Sequence, residues 1–584
     1  MNRTDHGGDI VGEVLAAHGV ACLYNLCGGH ISPILQGASR HGLRVIDVRD
    51  EVSAAFAADA ASRMTGIPGV CAVTAGPGVT NTVTAVKNAQ EAQQPLLVLG
   101  GATATVLRGR GSLQDIDQLA LMRPATKWAV RCNRVADIAP TLRKAFKVAT
   151  SGVPGPVFVE IAVDLLYPKE IVAEWYAKES GVDRMKGVVG KAAQLAVKGY
   201  LGHQFHTPHL PFDDAPRDRA PNRAAVERQL DEVRALLERA ERPVLVIGNQ
   251  AMVNLTPARA EALADAVRTL GIPTFLGGSA RGLLGRFSDI QFRHKRSAAL
   301  READAVLIAG FPFDFRLGYG LKINRDATIA SINLDNDALV RNRKPEIPVL
   351  DHPGEFLMGL AQRVSGAGRW KEFHDTLRVR EVVRDEEIAA SARTATERVC
   401  PIHLFLRIEE MIADDSVLIV DGGDFVATGA YIVRPRGPLR WLDPGVFGTL
   451  GVGGGFAIGA ASVRPSAEVW LFYGDGSSAY SLAEFDTYVR NGMAPIAIIG
   501  TDASWQQIAR DQVTLLGDDI GTRLLHTDYH KVAEGYGGKG LLLTRPEDID
   551  DVLREARRIA AEGKPVCVNV HLEGSDFREG SISI

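Results

Sequence analysis

The chain has 584 residues, 46% of them hydrophobic and 23% charged, with 66 Lys and Arg against 70 Asp and Glu. That length exceeds a single hydrophobic core and calls for about three or four domains. A net charge of −4 with both signs interspersed leaves no electrostatic footprint for nucleic acid or an anionic membrane, so neither is expected as a partner.

The six cysteines (Cys22, Cys27, Cys71, Cys132, Cys400, Cys567) are scattered, and only the first two are close. They suggest neither a zinc site nor a disulfide framework, which fits a reducing cytoplasm. The first residues, MNRTDHGGDI, contain no apolar core, so no signal peptide is expected. One stretch, VFGTLGVGGGFAIGAASV (446–463), reaches membrane-spanning length without a charge. Six of its residues are glycine, and it reads as a glycine-rich loop leading into a buried helix.

In chain order, GVCAVTAGPG (69–78), PLLVLGGA (95–102) and GPVFVEIA (155–162) read as buried parallel strands with helices between them. Residues 169–223 are rich in Lys, His, Pro and Asp and read as a linker or surface excursion. A helix at AAVERQLDEVRALLERA (224–240) opens a second α/β unit, with strands in RPVLVIGNQA, PTFLGG, DAVLIAGFPFDF and TIASINLD. The charged segment 369–399 reads as an exposed connecting helix. A third unit from residue 400 carries strands in SVLIVDGGD, EVWLFYGDG, APIAIIGTD and KPVCVNVHL. The fold class is therefore α/β, with three successive parallel-sheet domains.

In open parallel sheets, ligands sit at the carboxyl ends of strands. The third unit has three such ends that carry glycine or acid: Gly422-Gly423-Asp424, Gly474-Asp475-Gly476 and Thr501-Asp502. Two aspartates on adjacent strand ends suit one hard cation such as Mg²⁺, which keeps room for phosphate oxygens. The glycines allow backbone N–H groups to approach an anion. The residues alone thus point to a Mg²⁺–diphosphate site, although GDG by itself also marks plain turns.

The spacing from Asp475 to Asp502, 27 positions, resembles the motif of the thiamine diphosphate (ThDP) enzymes, GDG followed after that gap by Asn-Asn. Here Thr501-Asp502 stands at the Asn-Asn position. The resemblance implies that Asp475, Asp502 and the backbone carbonyl of Ser504 bind Mg²⁺. It also implies that Gly423, Asp424, Gly448, Gly474, Gly476 and Ser477 line the cofactor. Leu450 takes the place of the bulky residue that bends the cofactor. The stretch VRDEVSAAFAADAASRMTGIPGVCAVTAGPGVTN (48–81) is similar to the family segment that carries the essential glutamate. It puts Glu51 in that role, able to share a proton with the aminopyrimidine ring, with Pro77 and Asn81 beside the cofactor.

By this resemblance, residues 1–168 are the pyrimidine-binding domain, 224–368 a nucleotide-binding-like middle domain, 400–570 the diphosphate-binding domain, and 571–584 a tail expected to close over the site. The family's active sites form between subunits, which implies a homodimer at minimum and commonly a homotetramer. The middle domain is similar to those that hold ADP or FAD. Gly248, Arg281, Asp335 and Asp351 are the expected contacts, with ADP favoured over FAD.

LCGGHISPIL (26–35) places His30 where acetolactate synthases have a small residue and where benzaldehyde lyase has a working histidine. Its imidazole suits transfer of a substrate hydroxyl proton. RGRGSLQDIDQLALMRPATKW (108–128) puts Gln114 at an active-site glutamine position, the alternative being a surface role. Glu484 is either a further active-site acid or an acid on a helix surface. The third domain resembles the acetolactate synthase-like branch, whose characterised members are 2-hydroxyacyl-CoA lyases. The implied reaction cleaves a 2-hydroxyacyl-CoA thioester to formyl-CoA and an aldehyde or ketone. An acyloin lyase, an acetolactate synthase acting on small 2-oxo acids, and an inactive cofactor-binding subunit are the alternatives.

Overall fold

The computed structural model describes residues 6–180, 185, 187–206 and 223–578. The chain divides into two compact units, Met1–Ser62 with Ile67–Asp218, and Arg63–Gly66 with Arg219–Ile584.

The first unit carries β1 (Cys22–Asn25), β2 (Arg44–Asp47), β3 (Gly69–Val73), β4 (Leu96–Ala102), β5 (Trp128–Cys132) and β6 (Val157–Ala162). They form one sheet in the order β2-β1-β3-β4-β6-β5, and every pairing is parallel. Strands β3, β4 and β6 are buried along their whole length, as continuous apolar runs require when helices cover both faces. The alanine-rich helix Glu51–Thr65 packs tightly enough that a Cβ on Gly69 would lie 1.8 Å from the Ala58 carbonyl oxygen. Only glycine allows that approach between helix and strand.

The second unit holds two sheets. One contains β7 (Pro243–Ile247), β8 (Thr274–Leu276), β9 (Ala305–Ala309), β10 (Thr328–Asn333) and β11 (Ile347–Leu350), in the order β11-β10-β9-β7-β8. The other contains β12 (Val417–Asp421), β13 (Trp441–Leu442), β14 (Val469–Gly474), β15 (Ile496–Thr501), β16 (Lys539–Leu543) and β17 (Val566–His571), in the order β13-β12-β14-β15-β17-β16. All their pairings are parallel too. A core of large rings fixes the third sheet: Phe405 packs on Phe425 at 4.6 Å between centroids and edge-on to Phe472 at 5.5 Å.

The segment read as a linker, 169–223, contains helices Lys169–Ser180 and Gly187–Gln204 in its described part. The charged connecting segment is the helix Lys371–Ala392, and it buries Phe373, Leu377 and Ile388 on one face. The charge-free stretch 446–463 is a loop followed by the helix Val452–Val463. Among the described residues, no helix is long and apolar enough to cross a membrane. Of the C-terminal tail, residues 571–578 are described: the Phe577 ring meets Tyr431 edge-on and Arg384 lies over it.

Candidate active site

The third sheet brings its strand-end acids together. Gly474 and Gly500 are register partners on adjacent strands β14 and β15, so Asp475 and Asp502 emerge side by side. The Gly476 N–H donates to Asp475 Oδ1 at 2.8 Å, and the Ser504 N–H donates to Asp502 Oδ1 at 3.1 Å. Asp475 Oδ2 is buried without a hydrogen-bond partner. Burial pushes the Asp475 carboxyl up to about 6 against the pull of backbone N–H donors. Burial first, and then the Asp475 charge, push Asp502 up to about 7.

Two neighbouring carboxylates, Asp475 buried with an orphaned oxygen and Asp502 half-buried, fit a hard divalent cation that prefers oxygen donors. Among the described residues, no cluster of three or more His, Cys, Asp or Glu side chains forms a metal site. The expected set has only two such side chains, its third ligand being a backbone carbonyl.

Around these acids the backbone is shaped for close approach. Gly448 and Gly451 have φ of +66° and +89°, and Leu450 between them is half-buried. A Cβ on Gly476 would sit 2.4 Å from the Trp505 ring, so the indole lies directly on the GDG turn. Gln507 covers Gly423 in the same way, at 2.7 Å from a Cβ there. Asp424 pairs with Arg510 at 2.6 Å, and both side chains are largely buried. The Ser477 hydroxyl lies 2.6 Å from the Asp421 carbonyl and 3.0 Å from that of Gly474, so it ties β12 to β14.

Asp421 itself was not singled out from the sequence. It is fully buried, accepts the N–H groups of Gly451 and Gly453 at 3.1 and 2.8 Å, and is pushed up to about 7 by burial. It holds the loop that carries Leu450. Its signal was present, an acid closing the apolar run SVLIVD, in the same pattern as Asp475. Glu484 is 1% exposed: it accepts from the Thr487 hydroxyl at 2.6 Å and packs on Gly454, away from any helix surface.

The first sheet gathers the other candidates on the carboxyl edge of four neighbouring strands. His30 follows β1, Glu51 follows β2, Pro77 and Asn81 follow β3, and Gln114 follows β4. Glu51 is 6% exposed and accepts from the Asn81 side-chain amide at 3.0 Å. Gly78 lies alongside, where a Cβ would be 3.5 Å from Glu51 Oε1. His30 Nδ1 is 3.1 Å from the Thr74 hydroxyl, and burial lowers the imidazole from its ordinary value. Gln114, at φ +62°, packs over Gly76. A second glutamine, Gln118, is the buried one: its amide accepts from the Gly76 N–H and donates to Gly101 O and Glu160.

The middle-domain candidates do not converge. Gly248 is pressed against the Gly310 carbonyl, 2.4 Å from a Cβ, and Asp335 caps the helix Asn336–Val340. Gln250 bridges to Asn333 at 2.9 Å across these strand ends. Arg281 instead donates to the Ala430 carbonyl at 3.0 Å and lines a cavity of about 480 Å³. Arg293, Lys295, Arg296, Arg301 and Arg434 line it as well, whereas Gly248, Asp335 and Asp351 do not. Burial, followed by the charges of Arg434 and Arg281, pulls the Arg293 guanidinium down to about 10.

Three family profiles match the chain: the N-terminal TPP binding domain of thiamine pyrophosphate enzymes over residues 5–121, their central domain over 230–360, and their C-terminal TPP binding domain over 421–570. A zebrafish (Danio rerio) protein named 2-hydroxyacyl-CoA lyase 2 is 46% identical over 99% of this chain and 93% of its own length. The human protein of the same name is 46% identical over 99% of this chain and 92% of its own length. A Mycobacterium tuberculosis acetolactate synthase large subunit is 31% identical over 97% of this chain and 96% of its own length. With the paired aspartates, the glycine-lined strand ends and the buried Glu51 in place, the chain belongs to the thiamine diphosphate-dependent enzymes of the acetolactate synthase-like branch.

Proposed function

We propose that the protein is a ThDP- and Mg²⁺-dependent carbon–carbon lyase that cleaves a 2-hydroxyacyl-CoA to formyl-CoA and an aldehyde or ketone. The observation that carries this reading is the 46% identity to proteins named 2-hydroxyacyl-CoA lyase 2 along nearly the whole chain. His30 supports it chemically, because cleavage must remove the proton of the hydroxyl on C2, and an imidazole kept neutral by burial can accept that proton. Bound ThDP supplies the electron sink for breaking the C1–C2 bond.

The chain's own residues do the rest. Asp475, Asp502 and the Ser504 carbonyl hold Mg²⁺, and through it the diphosphate. Gly423, Asp424, Gly448, Gly474, Gly476 and Ser477 line that cradle, with Leu450 as the bulky support. Glu51, held by Asn81 at 3.0 Å, would hold and release the proton facing the aminopyrimidine ring, and Pro77 would border that ring. Gln114 holds a substrate oxygen. Glu484 braces the domain behind the cradle. The tail's last residues, 579–584, lie outside the described residues, and the working unit is a homodimer or homotetramer.

The cation-lined cavity suits a nucleotide polyphosphate, because guanidinium groups pair well with phosphate and the cluster repels itself when empty of anions. We assign ADP to it in preference to FAD, with Arg281 as the contact expected from the sequence. Purified protein with ThDP and Mg²⁺ is to be incubated with a 2-hydroxyacyl-CoA, benzoin or pyruvate, and the products identified by mass spectrometry. Formyl-CoA with a matching carbonyl compound is the expected result. Acetolactate from pyruvate, with the thioester untouched, overturns the reading.

A further inference from the structure

We propose that Tyr167, Ile171 and Trp175 form the wall that receives the carbon substituent on C2 of the substrate and so favour large apolar substituents. This rests on the lyase reading above.

The placement comes first. Tyr167 and the helix Lys169–Ser180 follow β6, so they leave the sheet by the same carboxyl edge that carries His30, Glu51 and Gln114. The Tyr167 hydroxyl donates to the carbonyl of Gly29, the residue before His30, at 3.1 Å. The Trp175 ring lies 4.8 Å from the Tyr167 ring, centre to centre, tilted by 59°. A run of aromatic contact thus begins at the histidine's own loop.

The helix also has two distinct stripes. Val172 is fully buried, and Tyr176, four residues on, donates its hydroxyl to Asp164. The adjacent pair Ile171 and Trp175, again four apart, stays 38% and 36% exposed. The inward stripe secures the helix. The outward one leaves two large apolar side chains on the edge where substrate is handled, the kind of exposed apolar surface that marks a binding face.

The wall is held in register with the reacting groups. Asp164 accepts from the Thr105 N–H at 3.0 Å and from its hydroxyl at 2.5 Å, and the Tyr200 hydroxyl lies 2.7 Å from the same Thr105 oxygen. Thr105 begins the connection that carries Gln114, so one polar network fixes both the helix and that connection.

The chemistry selects the occupant. The hydroxyl that His30 relieves of its proton is borne by C2, and so is the substituent that leaves with the carbonyl product. A substrate whose hydroxyl reaches His30 therefore places that substituent within a few bonds of the Gly29–His30 loop. The Tyr167–Trp175 surface that is bonded to that loop is apolar and aromatic, so the substrate class is one bearing an alkyl or aryl group at C2.

The test uses the ThDP- and Mg²⁺-loaded enzyme and a series of 2-hydroxyacyl-CoAs whose C2 substituent grows from methyl through longer alkyl to phenyl. The wild type is compared with Trp175→Ala, Trp175→Phe and Ile171→Ala, with kcat/KM read from formyl-CoA release. Trp175→Ala is expected to lower the ratio of kcat/KM for the largest to the smallest substituent about tenfold or more. Ile171→Ala should shift it less, and Trp175→Phe should restore most of it. Losses of equal size across the series, with or without a change in oligomeric state, overturn the wall and mark Trp175 as a packing or subunit-contact residue. A wild type that cleaves no member of the series overturns the lyase reading itself, and the wall with it.

Discussion

The carboxyl edges of the first and third sheets are built from opposite materials. The third edge concentrates buried acid: Asp421 and Asp502 are pushed up to about 7 and Asp475 to about 6, all by burial, with glycine backbone close by. On the first edge the two groups offered for proton transfer, Glu51 and His30, have neutral partners, Asn81 and Thr74. An edge that grips a metal and a diphosphate can afford crowded charge, because the ligand neutralises it. An edge that moves protons needs isolated groups whose protonation follows the reaction.

That contrast can be broken, and the largest effect is expected on the first edge. Glu51→Gln should lower turnover by about 10²-fold or more while ThDP still binds, as measured by calorimetry; near-normal turnover would end the division of labour. On the third edge, Asp502→Ala should weaken Mg²⁺-dependent ThDP binding about tenfold or more and leave unassisted folding largely intact. An unchanged affinity would place the second metal ligand elsewhere.

The contrast also has a pH signature. Asp475 and Asp502 bind protons more tightly when folded than when unfolded, so the metal-free protein binds the extra protons in its native state. Its stability from these two groups is therefore greatest below the ordinary aspartate value of 3.8 and falls as pH rises through about 6 to 7. Mg²⁺ needs both carboxylates charged, so its affinity should rise over the same window and offset the loss. Melting curves between about pH 5 and 8, with and without Mg²⁺, check this. A metal-free protein that gains stability from pH 6 to 8 would contradict it. The smallest expected effect is Gly476→Ala, which forces a methyl against the Trp505 ring at 2.4 Å. A loss of about 1–3 kcal/mol in denaturant unfolding is expected.

The third edge was legible in the sequence because its signals are local. An acid at the end of an apolar run, with glycine within two positions, announces itself within six residues, and Asp475 and Asp502 lie where that rule puts them. Asp421 obeys the same rule, but the strand end is read there as the Gly422-Gly423-Asp424 that follows it. On the first edge, Glu51, His30 and Gln114 came from resemblance, since nothing in a lone Glu, His or Gln reveals that four strand ends converge. Gln118 could not be told from Gln114, because burial of one glutamine out of two in a loop is decided by the tertiary fold. The strands β1, β2, β5, β11, β13 and β16 are missing from the sequence reading; five of the six lie at a sheet edge, where partly exposed residues break the apolar run that marks a buried strand. In the middle domain, acids and glycines at strand ends predicted contacts that instead cap a helix or pack against a neighbouring strand, while the cations of the basic cavity converge from separate segments.

The helix Asp424–Ile432 begins beyond the carboxyl end of β12 and ends against the middle domain. There Arg293 donates to the carbonyls of Ala430, Tyr431, Ile432 and Val433 at 2.8–3.2 Å, and Arg281 adds a bond to Ala430. A second tie lies beside it, where Arg286 and Arg436 both bind Glu409. Losing the middle domain would therefore uncap a helix whose other end carries Asp424. The two sheets of this unit are mechanically one piece, and cofactor bound at one should raise the melting temperature of both together.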